Sequence, residues 1–359
     1  MASATRLPLK SILFTTTLVI SLGASRVRLR SLVLKTVTGP GSYKRLAILS
    51  IVLANLKNFP SVWHYRVWAV ILRHCLFNKP NIPTHLAASS LFLPVISVSR
   101  APLWECDYNF HKSNSTYFSD LDVTRSHAIC ALLQPGIKAL QENKRTKLVL
   151  DKEGKAVGGR WGIMLGGVMT SFKREIGIYE GYEMWSRLLC WDRKWIYVLT
   201  HFVKKGAVKP TAYILEDGSW FGKRGYIKVK SDGKTRTKET DEKAIFATAI
   251  SKYVVKLGRL TVHPEVLLES SGVLPARPGG WATMSAASTG QSTPTILVEG
   301  QKEETALVVS DTDEWDWKRV EAENKRGLEF ASHFAALDEL HHEFSGSQGP
   351  ALGKYATFI

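Results

Sequence analysis

The sequence predicts an α+β fold in which one antiparallel sheet wraps a single central helix. Three observations carry that expectation. A strand-like stretch, "LFLPVISVSRAPLWECD", leads through a loop into "STYFSDLDVTRSHAICALL", where Tyr117, Leu121, Thr124, Ala128 and Leu132 recur at helical spacing. Long alternating or apolar runs then follow, well beyond the about 5–6 residues of a usual strand. With 45% hydrophobic and 10% aromatic side chains in 359 residues, the chain can also bury a substantial core.

Taken in order, residues 1–40 form a basic, apolar leader. Arg6 and Lys10 precede "SILFTTTLVISLG", and Arg26, Arg28 and Arg30 follow it. The acid-free, Arg- and Ser-rich composition suits a mitochondrial presequence, and the apolar run suits membrane association. That run falls short of the about 20 residues a span needs, and positive charge on both flanks fits a secretory signal poorly. Residues 41–85 hold two helical stretches, "LAILSIVLANL" and "VWHYRVWAVILRHCLF", closed by "NKPNIP". They fit a bent pair lying at a membrane surface, with Trp63, Trp68 and basic residues at headgroup level, and equally helices packed on the following domain.

The net charge of +16 is unevenly placed. Residues 1–100 carry 13 Lys or Arg and no Asp or Glu, leaving 35 basic against 32 acidic side chains beyond them. A nucleic-acid binder would carry its excess on the folded domain, so nucleic acid is not the expected partner. An anionic membrane surface met through residues 1–80 is, with the body of the protein facing the cytosol. Cys75, Cys106, Cys130 and Cys190 are irregularly spaced with no CxxC pair, which argues for reduced thiols, Cys106 among them as a buried structural one.

The main domain is expected over residues 91–272. Asn114 reads as the N-cap of the central helix, with Asp120 and Asp122 near its start and Pro135-Gly136 as its end. Strands follow in "GGRWGIMLGGVMTSFKREIGIYE", in a hairpin of Tyr182–Trp191 and Trp195–Lys204 turning at Asp192-Arg193-Lys194, and in Ala244–Leu257. A polar insertion, 205–243, contains a short hairpin around "EDGS". "HPEVLLESSG" is a short helix with Pro264 near its start. Residues 273–310 read as a flexible linker, and 311–344 as a final helix whose Asp311-x-x-Glu314 spacing makes an N-terminal cap.

One segment concentrates chemistry: "ECDYNFHKSNSTYFSDLDVTR", residues 105–125. Asp107, Asn109, His111 and Asn114 stand immediately before the central helix, where unpaired backbone N–H groups and the helix dipole favour negative charge. Asp107-x-Asn109-x-His111-x-x-Asn114-x-x-Tyr117 resembles the D-x-x-G-H-x-N-N-x-x-Y signature of 4-hydroxybenzoyl-CoA-thioesterase-like hotdog proteins. Together with "SFKREI", "LLCWDRKWIYVLTHFV" and "YVVKLGRLTVHPEVLLESSG", it is most similar to the membrane-associated thioesterase-like branch. The fungal thioesterases of secondary-metabolite clusters, of the leucinostatin-cluster type, belong with that branch. The resemblance covers about residues 97–272 and implies the hotdog fold, hydrolysis of an acyl-CoA or acyl-carrier thioester, and a homodimer.

It also implies that Asp107 is the catalytic carboxylate, that His111 and Asn114 support the site, and that Tyr117 lines the acyl pocket. Two positions depart from the signature: Phe110 replaces its glycine, and Ser113 its first asparagine. The bland alternatives are a loop acid at Asp107, a helix cap at Asn114, and a non-catalytic acyl-binding protein of the same fold. CoA phosphates call for positive charge, for which Lys252, Lys256, Arg259 and the "GKTRTK" run are candidates, although solvated lysine explains each as well. No metal and no cofactor beyond substrate CoA is expected; adjacent His341 and His342 cannot share one helix face.

Overall fold

The computed structural model describes residues 36–77, 79–151, 153–215, 225–229, 242–282 and 315–339. The leader through residue 35, the "EDGS" turn, the "GKTRTK" run, the Asp311-x-x-Glu314 cap and His341-His342 lie outside the described residues. The chain divides into two compact units, residues 1–62 with 102–104, and residues 63–101 with 105–359.

The first unit is built on α1 (Ser42–Ala54), which follows Gly41 at φ 74° and buries none of its residues. Ile48, Ile51 and Leu53 are each more than half exposed. Asn55 ends the helix: its Nδ2 donates to the Ile51 carbonyl at 2.9 Å, and its Oδ1 accepts from the Trp104 amide at 3.0 Å. Among the described residues no helix is long and apolar enough to cross a membrane.

Helix α2 (Val62–Leu72) belongs to the second unit from Trp63 on and is followed there by a π-helical turn, Arg73–Phe77. The antiparallel sheet comprises β1 (Val95–Arg100), β2 (Trp161–Phe172), β3 (Gly181–Trp191) and β4 (Trp195–Lys204). Beyond β5 (Ala212–Tyr213) and β6 (Ile227–Lys228), which pair with each other, the sheet is completed by β7 (Ile245–Leu257) and β8 (Leu260–Val262). The strand order is β1-β3-β4-β7-β2, with β8 on β7. One face holds the central helix α3 (Asn114–Gln141), giving the expected hotdog arrangement. The 10- to 13-residue lengths of β2, β3, β4 and β7 let the sheet reach around a 28-residue helix. Asp192 sets the β3–β4 turn where expected, its Oδ1 accepting from the Lys194 and Trp195 amides, each at 2.7 Å.

Strand register explains how the core is divided. Met184, Phe202 and Ala247 lie in one cross-strand row facing α3, and they form an apolar cluster with Tyr117 and Leu121. Two residues further along, the same face presents Ser186 and Thr200. Thr124 of α3 meets Ser186 at 3.0 Å, and Ser186 meets Thr200 at 2.8 Å. Beyond this hydroxyl row the main apolar core resumes around Leu133, Ile137, Leu188 and Val198. The polar row is fully buried, and its mutual bonds offset the cost of removing those hydroxyls from water.

Three expectations need correction. The helix does not stop at Pro135-Gly136 but runs on to Gln141. Pro135 is exposed and only forfeits its own N–H bond, whereas Ile137 and Leu140 beyond it are buried in the main core. Its N-cap is Ser113, not Asn114, and no side chain caps it. Residues 273–282, expected in the linker, are packed: Val273 and Trp281 belong to the core, and the Trp281 indole donates to the Pro275 carbonyl at 2.7 Å.

The other face of the sheet is covered by α5 (Trp317–Glu339), and α4 (Pro264–Ser270) packs on α3. Asn324 of α5 accepts from the Trp191 amide at 2.8 Å and donates to its carbonyl at 3.1 Å, completing the ladder beside the Leu188/Cys190 bulge. A Cβ on Gly327 would lie 2.5 Å from the Leu189 carbonyl oxygen, so this helix comes down against the strand backbone itself.

The π-helical turn is held on α3 by the buried His74, whose Nε2 lies 3.0 Å from Nδ1 of the half-buried His127. Burial first, then the charge of Arg73, pushes His74 down to about 4; burial, His74, Arg73 and Arg66 push His127 down to about 3. The unfolded chain therefore takes up protons first, near pH 6.5, and stability falls as pH drops from there toward 4. Above pH 6.5 this contribution is fully present. Urea unfolding at pH 7, 6 and 5 should show a loss approaching about 1.4 kcal/mol per pH unit per histidine, and His127→Gln should flatten the slope.

Candidate active site

The residues before α3 form a small hairpin. Cys106 and Lys112 pair across it, and the Ser113 amide donates to the Glu105 carbonyl at 2.8 Å. At its tip the Phe110 amide donates to the Asp107 carbonyl at 3.0 Å, closing a turn over Tyr108 and Asn109. The outgoing arm is fastened to the segment before β3, with the Lys112 amide donating to the Ile176 carbonyl at 2.8 Å. Local chemistry explains the turn: an aspartate accepting from amides two and four residues on is a standard turn initiator.

Asp107 is exposed, and its Oδ1 accepts from the Asn109 amide at 2.9 Å and the His111 amide at 3.4 Å. Its Oδ2 takes no bond among the described residues. Phe110 sits at φ 64°, in the left-handed region that favours glycine, and its ring is 63% exposed. The departure from the signature thus keeps the glycine's backbone conformation, and no core packing demands the aromatic ring. His111 is half-buried, with Nε2 3.1 Å from the exposed Glu175 carboxylate. Asn114 is the first helical residue and points its exposed side chain outward from the uncapped helix start.

Tyr117 faces inward as expected. It is 2% exposed, with ring centroids 5.0 Å from Phe172 and 4.8 Å from Phe202, and burial pushes its phenol up, beyond ionisation near neutral pH. Cys106 is half-buried rather than buried, and its thiol is raised by that burial and by the Glu105 carboxylate. That environment favours a protonated, unreactive thiol.

Of the basic residues expected at a CoA phosphate site, Lys252 is turned away from the helix face of the sheet. Ser251 faces α3, where it accepts from Arg125 at 2.7 Å, so its neighbour Lys252 points to the opposite face. There its ammonium is 3% exposed, 5.0 Å from the Trp195 ring and 4.8 Å from that of Phe334 on α5. Lys252 is a buried cation under the final helix and not a solvated lysine at a pocket mouth. Lys256 is half-buried on the same strand, and Arg259 is exposed in the β7–β8 turn. Among the described residues no cluster of three or more His, Cys, Asp or Glu could hold a metal ion.

Sequence reasoning missed a buried ionic cluster beneath the hairpin. Lys112 is fully buried, with its ammonium 2.6 Å from Glu105 Oε2 and 3.0 Å from Asp120 Oδ2. Asp120 also accepts from Arg66 Nη2 at 2.8 Å and from the Tyr182 hydroxyl. The sequence did hold one signal. Asp120 lies three residues after Tyr117 and four before Thr124, on the inward stripe of the helix, where an acid must find cationic partners.

The thioesterase-like superfamily profile matches residues 101–230, which include the hairpin, α3 and β2 to β4. Thioesterase poxG of Penicillium oxalicum is 34% identical over 311 residues, 86% of this chain and 89% of its own. Probable thioesterase atnL of Emericella nidulans is 31% identical over 329 residues, 90% and 93% of the two chains. Thioesterase lcsJ of Purpureocillium lilacinum is 30% identical over 314 residues, 81% and 89%. Alignments of that length extend well past the sheet and α3 into the flanking helices.

Proposed function

The chain belongs to the thioesterase-like superfamily, and from that premise we propose that Asp107 is the working carboxylate on an acyl-CoA or acyl-carrier thioester. The protein is a thioester hydrolase. One observation carries the assignment to Asp107: an exposed carboxylate, held by one oxygen in a tight turn, directly ahead of a helix start that no side chain caps. Asp107 acts either as base, taking a proton from the water that attacks the carbonyl carbon, or as nucleophile on that carbon. The oxyanion that forms is met by first-turn N–H groups of α3, which lack side-chain partners in an uncapped helix. In the base route collapse breaks the C–S bond, and the thiolate takes the proton held by Asp107. In the nucleophile route the same bond breaks to leave a mixed anhydride, which water hydrolyses to release the acid and restore the carboxylate, the water's proton going to the thiolate. Tyr117 supplies apolar wall for the acyl group, His111 holds the turn through its backbone amide, which donates to Asp107, and Asn114 stands exposed at the helix start, where its side-chain amide can reach the thioester. Hydrolysis of short, long and aromatic acyl-CoAs by the full chain, alongside Asp107→Asn, tests the reading.

The partner reading is a second copy of the chain. β2 is an edge strand of 12 residues, with Met164, Leu165 and Phe172 each at least 40% exposed. A long apolar edge is a template for pairing, and antiparallel pairing with another β2 would cover it. Light scattering should give twice the chain mass, and Leu165→Lys should halve it and reduce turnover. A fully active monomer would overturn the pairing.

A membrane partner rests on α1, where exposed Ile48, Ile51 and Leu53 stand with Lys44 and Arg45, and on Lys57 in the turn after it, all in an acid-free segment. Cosedimentation with anionic vesicles is expected, weakening as salt rises, with little binding to zwitterionic ones. Equal or absent binding to both would remove the membrane from the account.

A further inference from the structure

The fully buried Lys112 has no part in the chemistry just described, yet it lies at the base of the hairpin that presents Asp107. Its ammonium bridges Glu105, where the chain enters the hairpin, and Asp120, in the second turn of α3. The rings of Tyr117 and Tyr182 lie 5.3 and 5.4 Å from it. One side chain thus joins three things: the incoming arm through Glu105, the outgoing arm through its own backbone, and the helix through Asp120.

Stability is a poor explanation for this arrangement. Taking a lysine and two carboxylates out of water is costly, and apolar residues of the same volume often serve stability as well or better. What an apolar replacement lacks is direction. The ion pairs to Glu105 and Asp120 fix where the hairpin base stands along α3, and Arg66 and Tyr182 hold Asp120 in turn. Of the hairpin's backbone bonds, Ser113 to Glu105 and Asp107 to His111 are internal to it, and Lys112 to Ile176 ties it to the segment before β3. Apart from a 3.4 Å bond from the Thr116 hydroxyl to the Glu105 carbonyl, it is therefore the ion pairs that hold its base on α3.

We infer that Lys112 is a positioning residue of the thioesterase, setting the Asp107 carboxylate against the first-turn N–H groups of α3 through Glu105 and Asp120. The inference rests on the catalytic reading of Asp107. A catalytic group displaced by about 1 Å loses up to roughly 100-fold in rate, so loosening this clamp should act on kcat far more than on KM.

The test is the paired variant Lys112→Met with Glu105→Gln, which removes one cation and one anion together and leaves Asp120 bound by Arg66 and Tyr182. Circular dichroism and thermal melts report folding, and steady-state kinetics with the best acyl-CoA of the panel report function. A folded variant whose kcat falls about 10- to 100-fold, with KM within about 2-fold, supports positioning. In an Asp107→Asn background the same pair should have no further effect, because there is then no carboxylate to place. A folded variant with wild-type kcat overturns the inference, and so does an equal loss in the Asp107→Asn background, which marks a purely structural role. Should the pair not fold, Glu105→Gln alone decides. It keeps the shape and the Lys112–Asp120 pair, and unchanged kcat in it is equally fatal. If Asp107→Asn by itself retains turnover, the catalytic reading has failed; if it is dead while the clamp variants run normally, only the positioning has failed.

Discussion

Asp107→Asn is expected to lower kcat about 10³-fold while leaving the fold and its melting temperature nearly unchanged. The expectation follows from what the substitution keeps and what it removes. The amide oxygen of asparagine accepts from the Asn109 and His111 amides as Oδ1 does now, so the turn holds. Only the charge is lost, and with it both routes open to the carboxylate, deprotonating water and attacking the carbonyl. Because Asp107 is exposed, no buried partner is stranded by neutralising it. Asp107→Ala is the companion measurement. It removes the turn bonds as well and should cost about 1 kcal/mol of stability on top of the same kinetic loss. Turnover above a tenth of wild type in the asparagine variant would mean that Asp107 only shapes the loop, and that the hydrolytic group lies elsewhere.

The largest structural effect is expected at Gly136, in the dipeptide that reads as a helix stop. Here α3 passes against α4 so closely that a Cβ would collide with the Leu267 carbonyl and lie 2.5 Å from Ser271 Oγ. The Gly136 amide donates to that same hydroxyl at 3.1 Å, a bond the close approach makes available. Gly136→Val must push two helices apart, because the colliding atom is backbone and cannot rotate away. A loss of about 3 kcal/mol in urea unfolding, at unchanged m-value, is expected. Gly158→Val is the control. It is exposed, with nothing within 4 Å of the place a Cβ would take, and should stay within about 0.5 kcal/mol. Equal effects at the two sites would show that close packing of α3 on α4 is not what the glycine serves.

Pro135 and Gly136 also show where local reading stops. Both residues end helices in most settings, and nothing nearby in the chain says otherwise. The deciding partner, Ser271, stands 135 residues away. The β3–β4 hairpin was legible because its register and turn depend on neighbours in sequence, down to the Asp192 side chain that closes it. The linker boundary was misplaced for the opposite reason. "PARPGGWAT" has a linker's composition, yet its single tryptophan finds a core to enter.

In the candidate site, Asp107 was legible because it combines a turn-forming acid with a helix start, both local features. Lys112 was not, since a lone lysine in a polar motif looks solvated until its two carboxylates are located. Lys252 misled in the same way, being enclosed by rings from β4 and α5.

The sequence by itself determined the order of elements, the single long helix inside a long-stranded antiparallel sheet, and an acidic turn just ahead of that helix. Those features follow from periodicity, turn chemistry and backbone valence, which act over a few residues. Only the tertiary structure decided that α3 runs through Pro135, that Phe110 keeps a glycine's conformation, and that Lys112 is clamped between Glu105 and Asp120 while Lys252 lies under the final helix. Burial and charge pairing are set by residues distant in the chain, and a charged side chain takes its role from whichever partners the fold brings to it.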